Sequence, residues 1–125
     1  MAQTYKDLIV WQKAMDLTAE VYRLTKKLPK DELYGLTNQL RRAAVSIPSN
    51  IAEGNARFST KEYLHFLSIA RGSVAEVETQ LLLCVRLKYL AQEDIEAALS
   101  LQNEVERMLN SMITKLRDKE SAGGK

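Results

Sequence analysis

Gln39–Arg57, QLRRAAVSIPSNIAEGNAR, decides the fold: it opens as an amphipathic helix and then places a proline where a helix should have none. Pro48 has no backbone N–H to donate, and interior proline costs a helix ~3 kcal/mol. Ser46, Ser49, Asn50 and Glu53 stand at steps of 3, 4 and 7, so they share one helical face around it. Polar groups that become buried must find partners. An ordinary bundle helix needs neither feature. The stretch points to a specific architecture and not to a reaction.

Working outward, the whole chain has 125 residues, enough for one domain with a core that needs neither disulfides nor metals. Hydrophobic residues make up 46% and charged residues 27%, which is ordinary globular material. With two prolines and five glycines in all, long uninterrupted helices are expected. The single cysteine, Cys84, lies in LLLCV and reads as a small buried hydrophobe. No signal peptide is visible, and no apolar run approaches the ~20 residues of a membrane span. A reducing, cytoplasmic location with no membrane partner is the expectation. The formal charge is +2, divided as +4 over residues 1–90 and −2 over 91–125. This asymmetry is too mild to announce nucleic-acid binding by itself.

Hydrophobic spacing predicts four helices and no strand. The first spans Leu8 to Leu28, with Val10, Ala14, Leu17, Val21, Leu24 and Leu28 as its stripe and Pro29 as its stop. The second spans Leu33 to Asn55, with Leu36, Leu40, Ala43, Ile47 and Ile51 facing inward and Gly54-Asn55 as a terminating pair. Ser59-Thr60-Lys61-Glu62 is a capping box, so the third starts at Thr60 and ends near Tyr89. Its seam is Leu67, Ala70, Val74, Val77, Leu81 and Cys84. The fourth spans Gln92 to Lys119 through Ile95, Leu99, Val105, Leu109, Met112 and Leu116. Residues 120–125 are expected to form a disordered tail, leaving a single domain over 5–119.

Four such helices with short connections predict an all-α, antiparallel, up-and-down four-helix bundle, left-handed, with a bend at Pro48 in helix two. Helix three is apolar nearly all round at Leu81–Leu87, and helix one adds Ile9, Trp11 and Met15 beside its seam. Either the monomer core is thick or, the preferred reading, the bundle faces further subunits.

The polar face of helix two predicts a structural network of Arg42, Ser46, Asn50, Glu53, Ser73 and Glu76, the last two from helix three. In it arginine pairs the carboxylates, and a serine or a water satisfies the Ala44 carbonyl that loses its donor at Pro48. The competing reading is a polar lining for a ligand or subunit. Catalysis is disfavoured because no nucleophile–base pair is present. Glu62 and His65 have the Glu-x-x-His spacing of di-metal bundles, but His65 is the only histidine and Glu62 already serves the capping box, so neither metal nor cofactor is expected. Candidate nucleic-acid contacts are Arg41, Arg57, Lys61 and Arg71.

Three segments, LIVWQKAMDLTAEVYRLT, GLTNQLRRAAVSIPSNIAEGNAR and STKEYLHFLSIARGSVAEVETQL, together resemble the four-helix-bundle proteins encoded in intervening sequences of bacterial 23S ribosomal RNA genes. The resemblance covers about residues 5–115, with SIPSNIAEG and its following arginine as the specific signature. It implies a homopentameric ring of bundles without an enzymatic activity. It extends to the accessory protein of diversity-generating retroelements, a basic pentameric barrel that binds nucleic acid and a reverse transcriptase. The functional expectation is a non-enzymatic oligomer serving assembly or scaffolding with another protein. The alternative is an RNA- or DNA-binding ring on which basic patches are multiplied.

Overall fold

The computed structural model describes residues 4–123, which form four helices: α1 (Ile9–Thr25), α2 (Leu36–Asn55), α3 (Thr60–Arg86) and α4 (Gln92–Gly123). Short 3-10 turns at Tyr5–Asp7 and Lys30–Glu32 precede α1 and α2. Each helix packs on its two neighbours in the order α1, α2, α3, α4 and back to α1, so α1 and α3 occupy opposite corners. Neighbours run antiparallel. Lys13 pairs with Glu104 at 2.7 Å and Lys27 with Asp94 at 3.7 Å, so α4 descends as α1 rises. Ser46 meets Ser73 and Gln39 meets Gln80, giving the same reversal between α2 and α3.

The buried stripe of α1 is Val10, Ala14, Leu17, Val21 and Leu24, as the 4-3-4-3 spacing predicts. The helix ends three residues before the expected Leu28, where Lys27 N and Leu28 N donate to Leu24 O and Thr25 O in a tighter final turn ahead of Pro29. Leu28 is nevertheless buried. Helix α2 begins at Leu36 and not at Leu33. Its N-cap, Gly35, has no side chain to offer, and Glu32 supplies the cap instead: Oε1 accepts from Leu36 N at 3.0 Å, and Oε2 accepts from the Tyr89 hydroxyl at 2.8 Å. These two bonds hold the Glu32 carboxyl below its ordinary range. The Ser59 cap of α3 forms, with Oγ accepting from Glu62 N at 3.0 Å, but the expected capping box is incomplete: Glu62 Oε1 lies 3.1 Å from the Ser59 hydroxyl instead of taking the Ser59 backbone N–H.

Helix α4 differs most from its expected form. It continues past Lys119 through Gly123, so the segment expected as a tail is helical that far, and residues 124–125 lie outside the described residues. Its buried positions are Ile95, Ala98, Gln102, Val105, Leu109 and Ile113, which keep Ile95, Val105 and Leu109 of the expected stripe and add Ala98, Gln102 and Ile113. Leu99, Met112 and Leu116 are half-buried and pack against the edge of this core. Gln102 is 2% exposed, and its Nε2 has no hydrogen-bond partner.

Pro48 lies buried inside α2, and the consequence for Ala44 is resolved by another helix. Ala44 is fully buried, and its carbonyl accepts from Thr18 Oγ1 of α1 at 3.0 Å. The same hydroxyl lies 2.9 Å from the Ala14 carbonyl. A hydroxyl has one hydrogen, and Ala14 already has an intrahelical donor, so Ala44 is the oxygen that depends on it. Thr18→Val keeps the shape and removes the donor. It should lower unfolding stability by about 1–3 kcal/mol in urea titrations, whereas Thr18→Ser should retain most of it.

The far end of α3 closes in a Schellman motif, with Lys88 N donating to Val85 O at 3.0 Å and Tyr89 N to Cys84 O at 2.9 Å. Lys88 occupies the left-handed position at φ 65°, where a side chain is strained and glycine is not. Lys88→Gly should therefore raise stability, by about 1 kcal/mol, measured as a higher thermal midpoint.

Candidate functional site

The polar face predicted on α2 meets α3 along a narrow seam. Ser46 Oγ accepts from Ser73 Oγ at 2.9 Å and from Asn50 Nδ2 at 2.9 Å, while the same Asn50 nitrogen reaches Ser46 O at 2.7 Å. Toward one end, Gln80 Nε2 lies 3.5 Å from Gln39 Oε1; toward the other, Asn55 Nδ2 donates to the Tyr63 hydroxyl at 3.3 Å. The helices come this close because small residues line the contact. A Cβ added at Gly54 would meet Phe66 Cβ and Tyr63 Cδ1 at 2.9 Å. Gly54 is thus a packing glycine with ordinary helical φ, not the left-handed terminator that its position near the helix end suggests.

Ser46, Asn50 and Ser73 are joined, and the remaining three expected members behave differently. Glu53 turns away to Arg57, with Oε2 2.6 Å from Nη2. Arg42 and Glu76 are exposed and line one open groove of about 360 Å³ with Ser46, Ser73, Gln39 and Gln80. No ion pair joins Arg42 to Glu53 or Glu76 among the described residues. The network is a hydroxyl–amide clasp beside two free charges, not a neutralised arginine–carboxylate cluster.

The four basic residues do not converge. Arg41 is half-buried against α1: Nε donates to Thr25 Oγ1 at 2.8 Å, and the guanidinium lies 4.7 Å from the Tyr22 ring centre. Arg71 reaches across to α4 and donates to Asn110 Oδ1 at 3.3 Å. Only Arg57 and Lys61 share a place, the α2–α3 turn, where they line an open groove of about 430 Å³ with Glu62, His65 and Phe66. Arg57 also lies 4.8 Å over the Phe66 ring, and Phe58 beside it is fully exposed.

The Cys84 thiol is pushed up to about 11 by burial, which keeps it protonated and unreactive at neutral pH. His65 is exposed, packs edge-on against Phe66 at 5.4 Å, and has no nucleophile to serve. Among the described residues, no three of His, Cys, Asp and Glu gather as metal ligands would. No helix among them is long and apolar enough to cross a membrane. The sequence alone missed Thr18, Glu32 and Gln102. Glu32 had a legible signal, an acid four residues before a helix start that lacks a capping side chain. Thr18 and Gln102 acquire their roles only through tertiary contacts.

No curated protein matches the chain. A crystal structure of a protein of unknown function from the S23 ribosomal protein family of Bacteroides thetaiotaomicron is similar, with a TM-score of 0.78 and 26% identity. The match covers 84% of this chain and 98% of that one. The family model described as 23S rRNA-intervening sequence protein matches residues 6–111, from the start of the described fold well into α4. By that match, the chain belongs to the 23S rRNA-intervening sequence protein family.

Proposed function

We propose that the chain is a non-enzymatic, cytoplasmic, self-assembling bundle that works as a scaffold or binding module, built as a homopentameric ring. The observation that carries this reading is large apolar side chains left in solvent on opposite corners. Ile9, Met15 and Tyr22 are 60%, 45% and 39% exposed on α1, and Leu82, Leu83 and Leu87 are 46%, 41% and 45% exposed around the end of α3. Clustered surface leucines mark an interaction site more often than a free surface. Patches on opposite corners cannot both be covered in one two-fold dimer. They favour head-to-tail contacts that close into a ring. Light scattering of the purified chain should give a mass five times its 14.2 kDa; a single-chain mass would remove the reading.

A second reading, binding to RNA or DNA, is favoured by one place on the surface. At the α2–α3 turn an exposed aromatic, Phe58, stands beside Arg57 and Lys61, the combination that stacks unpaired bases and holds their phosphates. In a ring the place is repeated once per subunit, so weak contacts add through avidity. A labelled single-stranded RNA should shift in native gels at low salt and lose affinity steeply as salt rises. Phe58→Ala and Arg57→Glu should each weaken the shift. Wild-type protein that gives no shift at low salt would sink this second reading and leave the ring untouched.

A further inference from the structure

We infer that the polar groove between α2 and α3 receives the last turns of α4 from a second copy of this chain, with Asp118 pairing Arg42 and Lys115 pairing Glu76. The inference rests on the self-assembly proposed above and adds a polar contact that selects which surfaces meet. The groove is the first observation. Arg42 and Glu76 line it with Asn38, Gln39, Ser46 and Gln80; both charges are exposed, and neither has an ion pair among the described residues. Gln80 Nε2 lies 3.5 Å from Gln39 Oε1, at the limit of a hydrogen bond, and Gln80 Oε1 has no donor. The groove is short of an anion opposite Arg42 and of a cation bearing N–H groups beside Glu76 and Gln80. A segment that carries both charges within one helical turn meets that need.

The end of α4 is such a segment. Ile113 is the last buried residue of the helix and Leu116 the last half-buried one. From Arg117 to Ala122 every side chain is exposed, although the helix runs on to Gly123. A helix end held by its own backbone alone is marginal in water. At about 100° per residue, Asp118 stands opposite the Ile113–Leu116 line that faces the bundle, and Lys115 lies three residues before it on the same outward side. Neither has an ion pair among the described residues, so together they present a cation and an anion one turn apart. The groove they meet belongs to another copy, because α4 occupies the corner diagonal to α2 and makes no contact with it among the described residues. Groove and helix end are different surfaces. Each copy therefore offers its groove to one neighbour and its α4 end to the other, the head-to-tail order of a ring. Exposed ion pairs add little affinity, so the apolar corners supply the hold and this pairing the choice of partner.

Gel filtration with light scattering over a concentration series tests the pairing, with circular dichroism melts as the control for folding. A chain ending at Leu116 keeps every buried residue of α4 and should still melt cooperatively. The concentration at which half of it is assembled should rise about tenfold over wild type. Arg42→Glu and Asp118→Arg, both at exposed positions, should each raise that concentration by about the same factor, and the double variant should return to the wild-type value. If wild type assembles and either the shortened chain or the single charge variants assemble equally well, the α4 end is not the occupant and self-assembly stands. If the single variants weaken assembly but their combination does not recover it, Arg42 and Asp118 do not meet and the inference falls. A wild type that stays monomeric at every concentration removes both the pairing and the self-assembly.

Discussion

Pro48 removes one hydrogen from the middle of α2, and α2 has to borrow a replacement from α1. An α-helix interior normally satisfies every carbonyl from its own chain four residues on. Ala44 cannot do so, and it is fully buried, so no bulk water can substitute. The Thr18 hydroxyl at 3.0 Å is the replacement, which ties the register of α1 against α2 to a single residue. Nearly two turns away, Arg41 repeats the linkage by donating to Thr25. On its other side α2 is tied to α3 by the Ser46–Ser73 contact, with Gly54 allowing the approach. Net, each such bond contributes only about 1 kcal/mol, far less than burial of the aliphatic core. What these bonds add is positional: a slip of either neighbour would leave a buried carbonyl or hydroxyl unsatisfied.

This division of labour explains which parts of the fold were legible in the sequence. Aliphatic spacing is a local signal, and it placed all four helices and the Ser59 cap. It also identified Ala44 as an oxygen in need of a donor, because proline chemistry is local too. The donor was assigned to a serine or a water, since nothing local marks Thr18 as facing α2. Helix ends were misplaced where tertiary groups decide them. Glu32 starts α2 three residues late, and Lys88 ends α3 in a left-handed turn that lysine does not advertise. Gln102 lies on the buried face of α4, which no local feature of a glutamine signals.

The site residues were harder for the same reason. Arginines on a helix surface look alike in sequence, yet Arg41 is tied to Thr25 and Tyr22, Arg71 to Asn110 and Arg57 to Glu53. An arginine already in a half-buried hydrogen bond gives up that contact before it can meet a phosphate. The partly exposed Arg57–Glu53 pair costs little to break, whereas Arg41 is held by both a hydroxyl and an aromatic face. Among the candidate site residues, Arg42, Glu76 and Lys61 have no side-chain hydrogen bond or ion pair within the described residues, and two of them are expected from sequence to join an internal network.

The signature SIPSNIAEG thus has a structural account at several positions. Ser46 accepts from Ser73 of α3 while Asn50 holds it from within α2, Pro48 creates the vacancy that Thr18 fills, Ile47 and Ile51 are core, and Gly54 permits contact with Tyr63 and Phe66. Little of the motif is left over for a ligand. The proposed self-assembly uses the surfaces that this packing leaves open. Those surfaces are apolar, partly charged and spread over separate faces, which suits contact with large partners. A small substrate would need convergent polar groups in an enclosed pocket. The polar groove beside the Ser46–Ser73 contact is open and is lined by Arg42 and Glu76, neither of which has an ion pair among the described residues. Charges left so in solvent cost little, and a second protein surface that covered them would have to pair both.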